Sequence, residues 1–203
     1  MRRDKKVLLA AMLGATVMAA PAVSMAQARG ETGWYLGASI GQSQFKDACT
    51  GFVGVGVSCD DKDTAFKILG GYQINRNFAA ELGYIELGKA KASAPGLSAD
   101  IKANAWELVG IGAWPVANQF SIYGKLGFYR GEAKASASLT GLGSGGFKET
   151  NTDLTYGVGV QYDISREFGI RGEWQRYGKM GGGNFGEKFD VDVLSIGGTW
   201  RFR

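Results

Sequence analysis

The sequence contains no histidine, and its 203 residues include only two cysteines and three prolines. Histidine is the most common general base near neutral pH and a frequent metal ligand, so its absence argues against most hydrolases and against a metal centre. A catalytic site built from carboxylates alone is the remaining alternative, and we expect no enzyme and no cofactor. Because proline cannot donate a hydrogen bond within a sheet, its scarcity suits a chain made mainly of paired strands.

The one long apolar run lies at the N terminus. Residues 7–23 follow a basic start and precede the small-residue sequence Ala26-Gln27-Ala28, which is the layout of a secretory signal peptide. Ser24-Met25-Ala26 offers a second cleavage site, and a membrane-spanning N-terminal helix is the alternative to cleavage. We therefore predict a signal peptide at 1–28 and a β-barrel domain at 29–203.

Removal of this segment nearly neutralises the chain. Residues 1–28 hold four basic residues and one acidic residue, so the 23 basic and 19 acidic residues of the whole chain become 19 and 18, and the net charge of +4 becomes +1. We therefore expect no nucleic-acid partner. No apolar run of about 18 residues follows the signal, so residence in a membrane would require a closed barrel, in which every backbone group is paired.

Alternation of apolar and polar residues with a period of two predicts eight strands. They span roughly 33–45, 64–74, 78–88, 101–115, 120–130, 152–164, 168–177 and 191–202. In each strand the apolar side chains carry even numbers. The strand at 101–115 is the least regular, because Val109 and Ile111 fall on its polar face.

The distribution of aromatic residues favours an apolar face that points outward into lipid. Aromatic residues gather at two heights on the apolar face, as in the girdles of membrane barrels, whereas a soluble core has no reason to sort them by height. The girdle at one rim consists of Trp34, Tyr72, Phe78, Trp114, Phe120, Tyr162, Phe168, Trp200 and Phe202. A soluble barrel with an apolar core is the alternative fold.

The lengths of the connections between strands also favour a membrane barrel. Short connections near 75–77, 116–119 and 165–167 alternate with long ones near 46–63, 89–100, 131–150 and 178–190. Membrane barrels have short periplasmic turns and long extracellular loops. We predict an eight-stranded antiparallel up-and-down barrel in the outer membrane, with both termini in the periplasm. A segment at 72–78 recurs at 162–168, and either duplication or similar turn physics accounts for this repeat.

Six charged residues fall on the inward face, with acids and bases at similar distances from the periplasmic rim. They are Lys67, Glu81, Glu107, Lys125, Arg171 and Glu173. An eight-stranded barrel is just wide enough to be filled by side chains, and buried charges must pair. The set predicts either a structural plug of ion pairs or a gate in which exchange of partners opens a path for water.

The cysteines, Cys49 and Cys59, lie ten positions apart in the first long connection. In an oxidising periplasm the simplest prediction is a disulfide within that loop.

Four phrases in order resemble the OmpA-like transmembrane barrel family. They are GWYLGASIGQS, ILGGYQINRNFAAELGYIELG, YGKLGFYRGEAK and YGVGVQYDISREFGIRGEWQRYG, and the likeness covers about 29–203. It implies the envelope of a Gram-negative cell and a role in anchoring envelope structure, adhesion or narrow pores. Because the sequence stops with the barrel, we expect no peptidoglycan-binding domain.

The last strand is similar to the family's barrel-assembly signal, through Ser195, Gly197, Trp200 and Phe202, although Arg203 follows the final aromatic residue. Any last strand with alternating aromatics is the alternative explanation. We expect the assembly machinery, membrane lipid and lipopolysaccharide as partners of a monomer, and four loops that contact host or phage. The second hypothesis is a narrow passive pore for ions and small solutes.

Overall fold

The computed structural model describes residues 32–46, 58–94, 97–139, 143–181 and 188–202. The predicted signal peptide and Cys49 lie outside these ranges, as does the side chain of Cys59, so the disulfide stays a prediction. Within the described ranges, no helix has the length and apolarity needed to cross a membrane.

The described residues form nine strands in one antiparallel sheet. They are β1 (Gly33–Phe45), β2 (Ser58–Asp60), β3 (Lys62–Gln73), β4 (Phe78–Ala94), β5 (Leu97–Pro115), β6 (Phe120–Leu139), β7 (Gly143–Asp163), β8 (Phe168–Gly181) and β9 (Lys188–Arg201). From β3 to β9 each strand pairs with the next, and β1 pairs with both β3 and β9. Eight strands therefore close into an up-and-down barrel, and β2 adds only to the outer end of β4.

The predicted direction of the two faces is confirmed. Even-numbered apolar side chains point outward, and Trp34, Leu108 and Leu194 are 67%, 61% and 67% exposed. Odd-numbered neighbours such as Lys67 and Glu107 are buried. A soluble protein would bury the apolar face, so the alternative of an apolar-cored soluble barrel is wrong.

The short turns at 72–78 and 162–168 contain equivalent hydrogen bonds. In the first turn the Asn75 side chain accepts hydrogen bonds from the backbone of Asn77 and Phe78, each 2.9 Å long. In the equivalent turn the Ser165 hydroxyl accepts from the backbone of Glu167 and Phe168 at 3.2 and 3.0 Å. Asn and Ser side chains stabilise turns in this way, so similar turn chemistry is sufficient to explain the repeat, and duplication stays the alternative.

Two of the predicted long loops are strands instead. The β4–β5 pairing continues to Ala94 opposite Leu97, and the β6–β7 pairing continues to Leu139 opposite Gly143. The neighbouring pairs of barrel strands separate sooner along their length. The described β3–β4 ladder stops at Glu86, and the β7–β8 ladder stops at Thr155. Residues 88–94, 97–104, 131–139 and 143–153 therefore form the four long strands of a sheet beyond the barrel, which we call the outer sheet, and β2 adds a short fifth strand beside Lys91–Ser93.

A β-bulge marks the start of the outer sheet on β4. Gly88 has a φ of 77°, and the next backbone N–H, that of Lys89, donates to Oδ2 of Asp63 at 2.7 Å. The extra residue shifts the register between Glu86 and Gly88. Leu87 and Ala90 are consequently both buried, so the rule that even-numbered residues point outward ends here.

The barrel interior has apolar layers on both sides of the charged residues. Nearer the periplasmic rim, Ile111 packs in a buried cluster with Tyr35 and Tyr123, and Val109 is buried opposite Glu81. This explains why 101–115 is irregular in sequence. Nearer the outer sheet, a larger cluster includes Phe45, Leu87, Tyr129, Tyr177 and Met180.

Candidate functional site

The six predicted interior charges lie together in one alternating chain. Its order is Arg171, Glu81, Lys125, Glu173, Lys67 and Glu107, and the five successive N–O distances are 2.7, 3.4, 2.7, 3.2 and 3.1 Å. Each of the six residues is buried. Three cations thus meet three carboxylates, so the chain is neutral as a whole.

Glu81 lies toward the periplasmic end of this chain. Its Oε1 accepts hydrogen bonds from Nη1 of Arg171 at 2.7 Å and from the Tyr35 hydroxyl at 2.8 Å. The Arg171 guanidinium also lies near the faces of the Tyr35 and Tyr123 rings, at 6.0 and 5.5 Å from the ring centroids. These contacts orient Arg171, although its Nε has no hydrogen-bond partner among the described residues.

Glu173 occupies the middle of the chain. Its Oε2 contacts Lys125 at 2.7 Å and accepts a hydrogen bond from the Tyr123 hydroxyl at 2.8 Å, while its Oε1 accepts from Lys67 at 3.2 Å. Two lysines and one tyrosine therefore surround this carboxylate. Such full satisfaction offsets the desolvation of a buried charge.

Glu107 closes the chain toward the outer sheet. Its Oε2 accepts from Nε2 of Gln175 at 2.8 Å and from the Tyr177 hydroxyl. Its Oε1 lies 3.1 Å from Nζ of Lys67 as a charge contact, without a hydrogen bond to that oxygen. Tyr177 belongs to the upper apolar cluster, so this hydroxyl joins the ionic chain to that cluster.

The sequence prediction missed the uncharged polar residues that form hydrogen bonds within the ionic chain. They are Tyr35, Tyr123, Thr155, Gln175 and Tyr177. A signal for them exists, because the tyrosines have odd numbers and so break the rule that aromatic side chains occupy the lipid face. An aromatic residue with a polar tip on the inward face has to find a hydrogen-bond partner.

Two of these tyrosines repeat one arrangement in the two halves of the barrel. The Tyr35 ring covers the backbone of Gly71 and the Tyr123 ring covers that of Gly159, where in each case a Cβ atom would overlap the ring. Each tyrosine then donates to a glutamate of the chain, Glu81 or Glu173. Glycine is required at both positions because the ring occupies the space of a side chain.

One cavity inside the described barrel is small. A cavity of about 10 Å³ on the periplasmic side of the chain is lined by Tyr35, Gln73, Arg171 and Arg201, among others, which is room for about one water molecule. The ionic chain and then the upper apolar cluster lie beyond it. Buried side chains of the ionic chain and of this cluster thus occupy the described barrel interior at these two levels.

The predicted girdle lies on the lipid face. Of its nine residues, Trp34, Tyr72, Phe78, Trp114, Tyr162, Trp200 and Phe202 are exposed, and Phe120 and Phe168 are half-buried. Rings on adjacent strands contact each other, as between Trp34 and Tyr72 with centroids 4.9 Å apart. A second level includes Tyr84 and Trp106, with centroids 5.1 Å apart.

The predicted assembly residues lie on β9. Ser195 and Gly197 are half-buried on the inward face, and Trp200 and Phe202 are exposed on the lipid face. A Cβ atom at Gly197 would overlap the backbone and side chain of β1 at Ala38 and Ser39. Gly197 thus permits closure of the barrel, and recognition by the assembly machinery stays a prediction.

Comparison with known proteins agrees with this architecture. Outer membrane protein A of Shigella flexneri is 30% identical, and that of Serratia marcescens 31% identical, over 83% of this chain in each case. The chain spans about half the length of these relatives, 48% and 49%. Among solved structures, Neisserial surface protein A is similar with a TM-score of 0.60 and 18% identity, covering 83% of this chain and 97% of its own.

Ail, the attachment invasion locus protein of Yersinia pestis, is also similar in fold, with a TM-score of 0.52 and 19% identity, covering 84% of this chain and 99% of its own. The OmpA-like transmembrane domain matches residues 29–203. With the closed barrel, its outward apolar face and its aromatic girdles, this match shows that the chain belongs to the family of OmpA-like transmembrane domains of the outer membrane.

Proposed function

We propose that this protein is a structural and interaction protein of the outer membrane, in which a sealed barrel holds the outer sheet outside the cell. One observation carries the proposal: charged and apolar side chains are buried inside the barrel, whereas β4–β7 continue beyond it as a paired sheet. Such a sheet loses little conformational entropy on binding, since its backbone is already ordered.

The proposed orientation follows from the connections. The three tight turns and both ends of the barrel, at Gly33 and Arg201, share one rim. Short turns are periplasmic in barrels of this kind, so both termini lie in the periplasm and the outer sheet faces outward. In this orientation a monomer is sufficient, and the assembly machinery inserts it.

The proposed partners are membrane lipid, lipopolysaccharide and surfaces of host or phage. The outer sheet offers exposed charged side chains, among them Lys89, Lys102, Lys134 and Lys148. The similar barrel Ail has been solved in complex with a heparin analogue, sucrose octasulfate. Heparin is therefore a suitable probe for adhesion.

The test is to shorten the outer sheet. In this variant tight turns replace residues 89–101 and 133–149. Unheated and heated samples are compared on detergent gels, where a closed barrel migrates differently from the boiled chain. Cells that carry the wild-type protein and cells that carry the shortened variant are then compared for uptake of a hydrophobic dye and for adhesion to heparin-coated surfaces. We expect the gel shift to persist and at least one of the two phenotypes to change; if neither changes, the interaction role is wrong.

A narrow pore is the second candidate, and the alternating ionic chain favours it. Lys125 lies between the carboxylates of Glu81 and Glu173, so a shift of this one side chain could exchange partners and open a path. Conductance in planar bilayers separates the candidates, because a sealed anchor gives none with the wild-type protein.

A further inference from the structure

Four lysines lie side by side across the outer sheet. Lys89 of β4 pairs with Lys102 of β5, Lys102 pairs with Lys134 of β6, and Lys134 pairs with Lys148 of β7. All four side chains are exposed. Because adjacent strands are about 4.8 Å apart, the row places four positive charges along about 14 Å.

This arrangement works against the folding of the sheet. Like charges directly opposite each other on neighbouring strands are destabilising, and the row contains three such pairs in succession. Glu132 contacts Lys134 at 3.0 Å and Lys148 at 2.6 Å, and one carboxylate is shared between them. Lys89 and Lys102 form no ion pair among the described residues. A bound polyanion would relieve this repulsion.

The bulge on β4 brings the first lysine into the row. Without the extra residue, Lys89 would follow the parity of Leu87, which is buried. Gly88 adopts a positive φ, and Asp63 accepts the Lys89 N–H, so that Lys89 turns outward opposite Lys102. The row is thus held by a specific backbone feature.

The face and the height of the row identify its ligand. Lys102 lies on the same outward face of β5 as Trp106 and Leu108, which are 57% and 61% exposed on the lipid side. With strands tilted by about 40°, Lys102 lies about 10 Å beyond Trp106, and Lys134 about 15 Å beyond Phe128. A ligand on this face lies beside the barrel, just above the girdle, where lipid headgroups are located.

We propose that the row of Lys89, Lys102, Lys134 and Lys148 binds the phosphorylated headgroup of lipopolysaccharide in the outer leaflet. This inference rests on the proposed function, since it assigns a partner to the outer sheet. The row rises obliquely from β4 to β7, because it runs perpendicular to tilted strands, and so follows the headgroup from its phosphates toward its sugars. Arg130, exposed in line with Trp106 and Tyr84, adds a further cation at the level of the girdle.

The experiment compares two charge-matched double variants, Lys102→Gln/Lys134→Gln in the row and Lys179→Gln/Lys188→Gln on β8 and β9, outside the row. Each full-length protein is titrated in zwitterionic detergent with lipid A that carries both phosphates, with dephosphorylated lipid A and with a heparin oligosaccharide. Native mass spectrometry counts the bound molecules. Heat-dependent gel mobility verifies that each variant is folded.

We expect the row variant to bind phosphorylated lipid A more weakly by about fivefold for each lysine removed, and the control variant to bind like the wild type. Glu132→Gln should bind it more tightly, because Lys134 and Lys148 lose their internal partner. Equal binding by the row variant and the wild type would overturn the proposal, as would row-dependent binding of heparin that exceeds that of lipid A. Failure of the function proposed above is a separate result, seen only when the outer sheet is shortened.

Discussion

Nζ of Lys125 lies 2.7 Å from Oε2 of Glu173. The same ammonium group lies 3.4 Å from Oε2 of Glu81, so it separates two buried carboxylates at the middle of the ionic chain. Removing one partner of a buried ion pair leaves an uncompensated charge. Lys125 is therefore the position at which a plug and a gate give different results.

We predict that Lys125→Ala lowers the free energy of unfolding by about 3–5 kcal/mol, measured by urea titration of the protein in lipid vesicles. If the chain is a gate, this variant also raises ion conductance in planar bilayers, because two carboxylates without their shared cation draw in water. Unchanged conductance leaves only the plug. Lys179→Ala removes an exposed lysine that is not part of the ionic chain, and it should change neither the free energy of unfolding nor the conductance.

The tyrosines that cover glycine lead to a second prediction. Gly159→Ala would force a Cβ atom into the ring of Tyr123 and should lower the free energy of unfolding by about 1–3 kcal/mol, the usual cost of overpacking. Gly124→Ala is the control, because the nearest atom to its added Cβ lies 4.0 Å away. The stabilities of the two variants are compared through the temperature at which each loses its folded band on the gel. Equal temperatures for the two variants would contradict this packing.

Much of the barrel could be predicted because alternation is a local property. In each strand, apolar residues such as Leu108 and Leu194 identify the face that contacts lipid. Closure of the sheet into a barrel follows from the number of strands. The outer sheet could not be predicted in the same way. Its strands are rich in Gly, Ser, Ala and Lys, a composition typical of loops. They pair because each of the adjacent strands β4–β7 continues a similar distance beyond the barrel.

The site was predictable to a similar degree. Parity and distance from the rim placed the six charges inside at comparable heights, but the partners depend on the stagger between strands. Lys67 and Glu173, for example, come from β3 and β8, which are not adjacent in the barrel. Their contact spans the interior, and period-two alternation carries no information about which side chains meet there.

The bulge at Gly88 gives a third prediction. Its φ of 77° is disfavoured for residues with a side chain, and an added Cβ would lie 2.7 Å from the side chain of Asp63. We expect Gly88→Ala to straighten or loosen the start of the outer sheet and to speed amide hydrogen exchange in β4 beyond Glu86. Gly145→Ala, whose added Cβ meets nothing within 4 Å, is the control in the same sheet. If exchange is equally slow in both variants, the bulge does not depend on glycine.

The contact of Glu132 with two lysines gives a prediction about pH. Hydrogen bonds donated by Lys148 and Lys134 hold the pKa of the Glu132 carboxyl below its usual range. A pKa that is lower in the folded than in the unfolded protein stabilises the fold above the unfolded pKa, and this contribution disappears as the pH falls through the folded pKa. The outer sheet should therefore keep this contact at neutral pH and lose it as the pH falls below the ordinary range of a glutamate carboxyl.

Carbon-detected NMR of the Glu132 carboxyl in the detergent-solubilised protein measures this directly. We expect Lys148→Gln to raise the Glu132 pKa toward the ordinary glutamate value, because the largest stabilising contact of the carboxylate is removed. Lys188→Gln removes the same charge from β9 and should leave the titration unchanged. An unchanged midpoint in Lys148→Gln would show that the pair is broken by solvent, as exposed ion pairs often are. In that case all four lysines of the row would be available to an external anion, and Glu132→Gln would no longer strengthen the binding of lipid A.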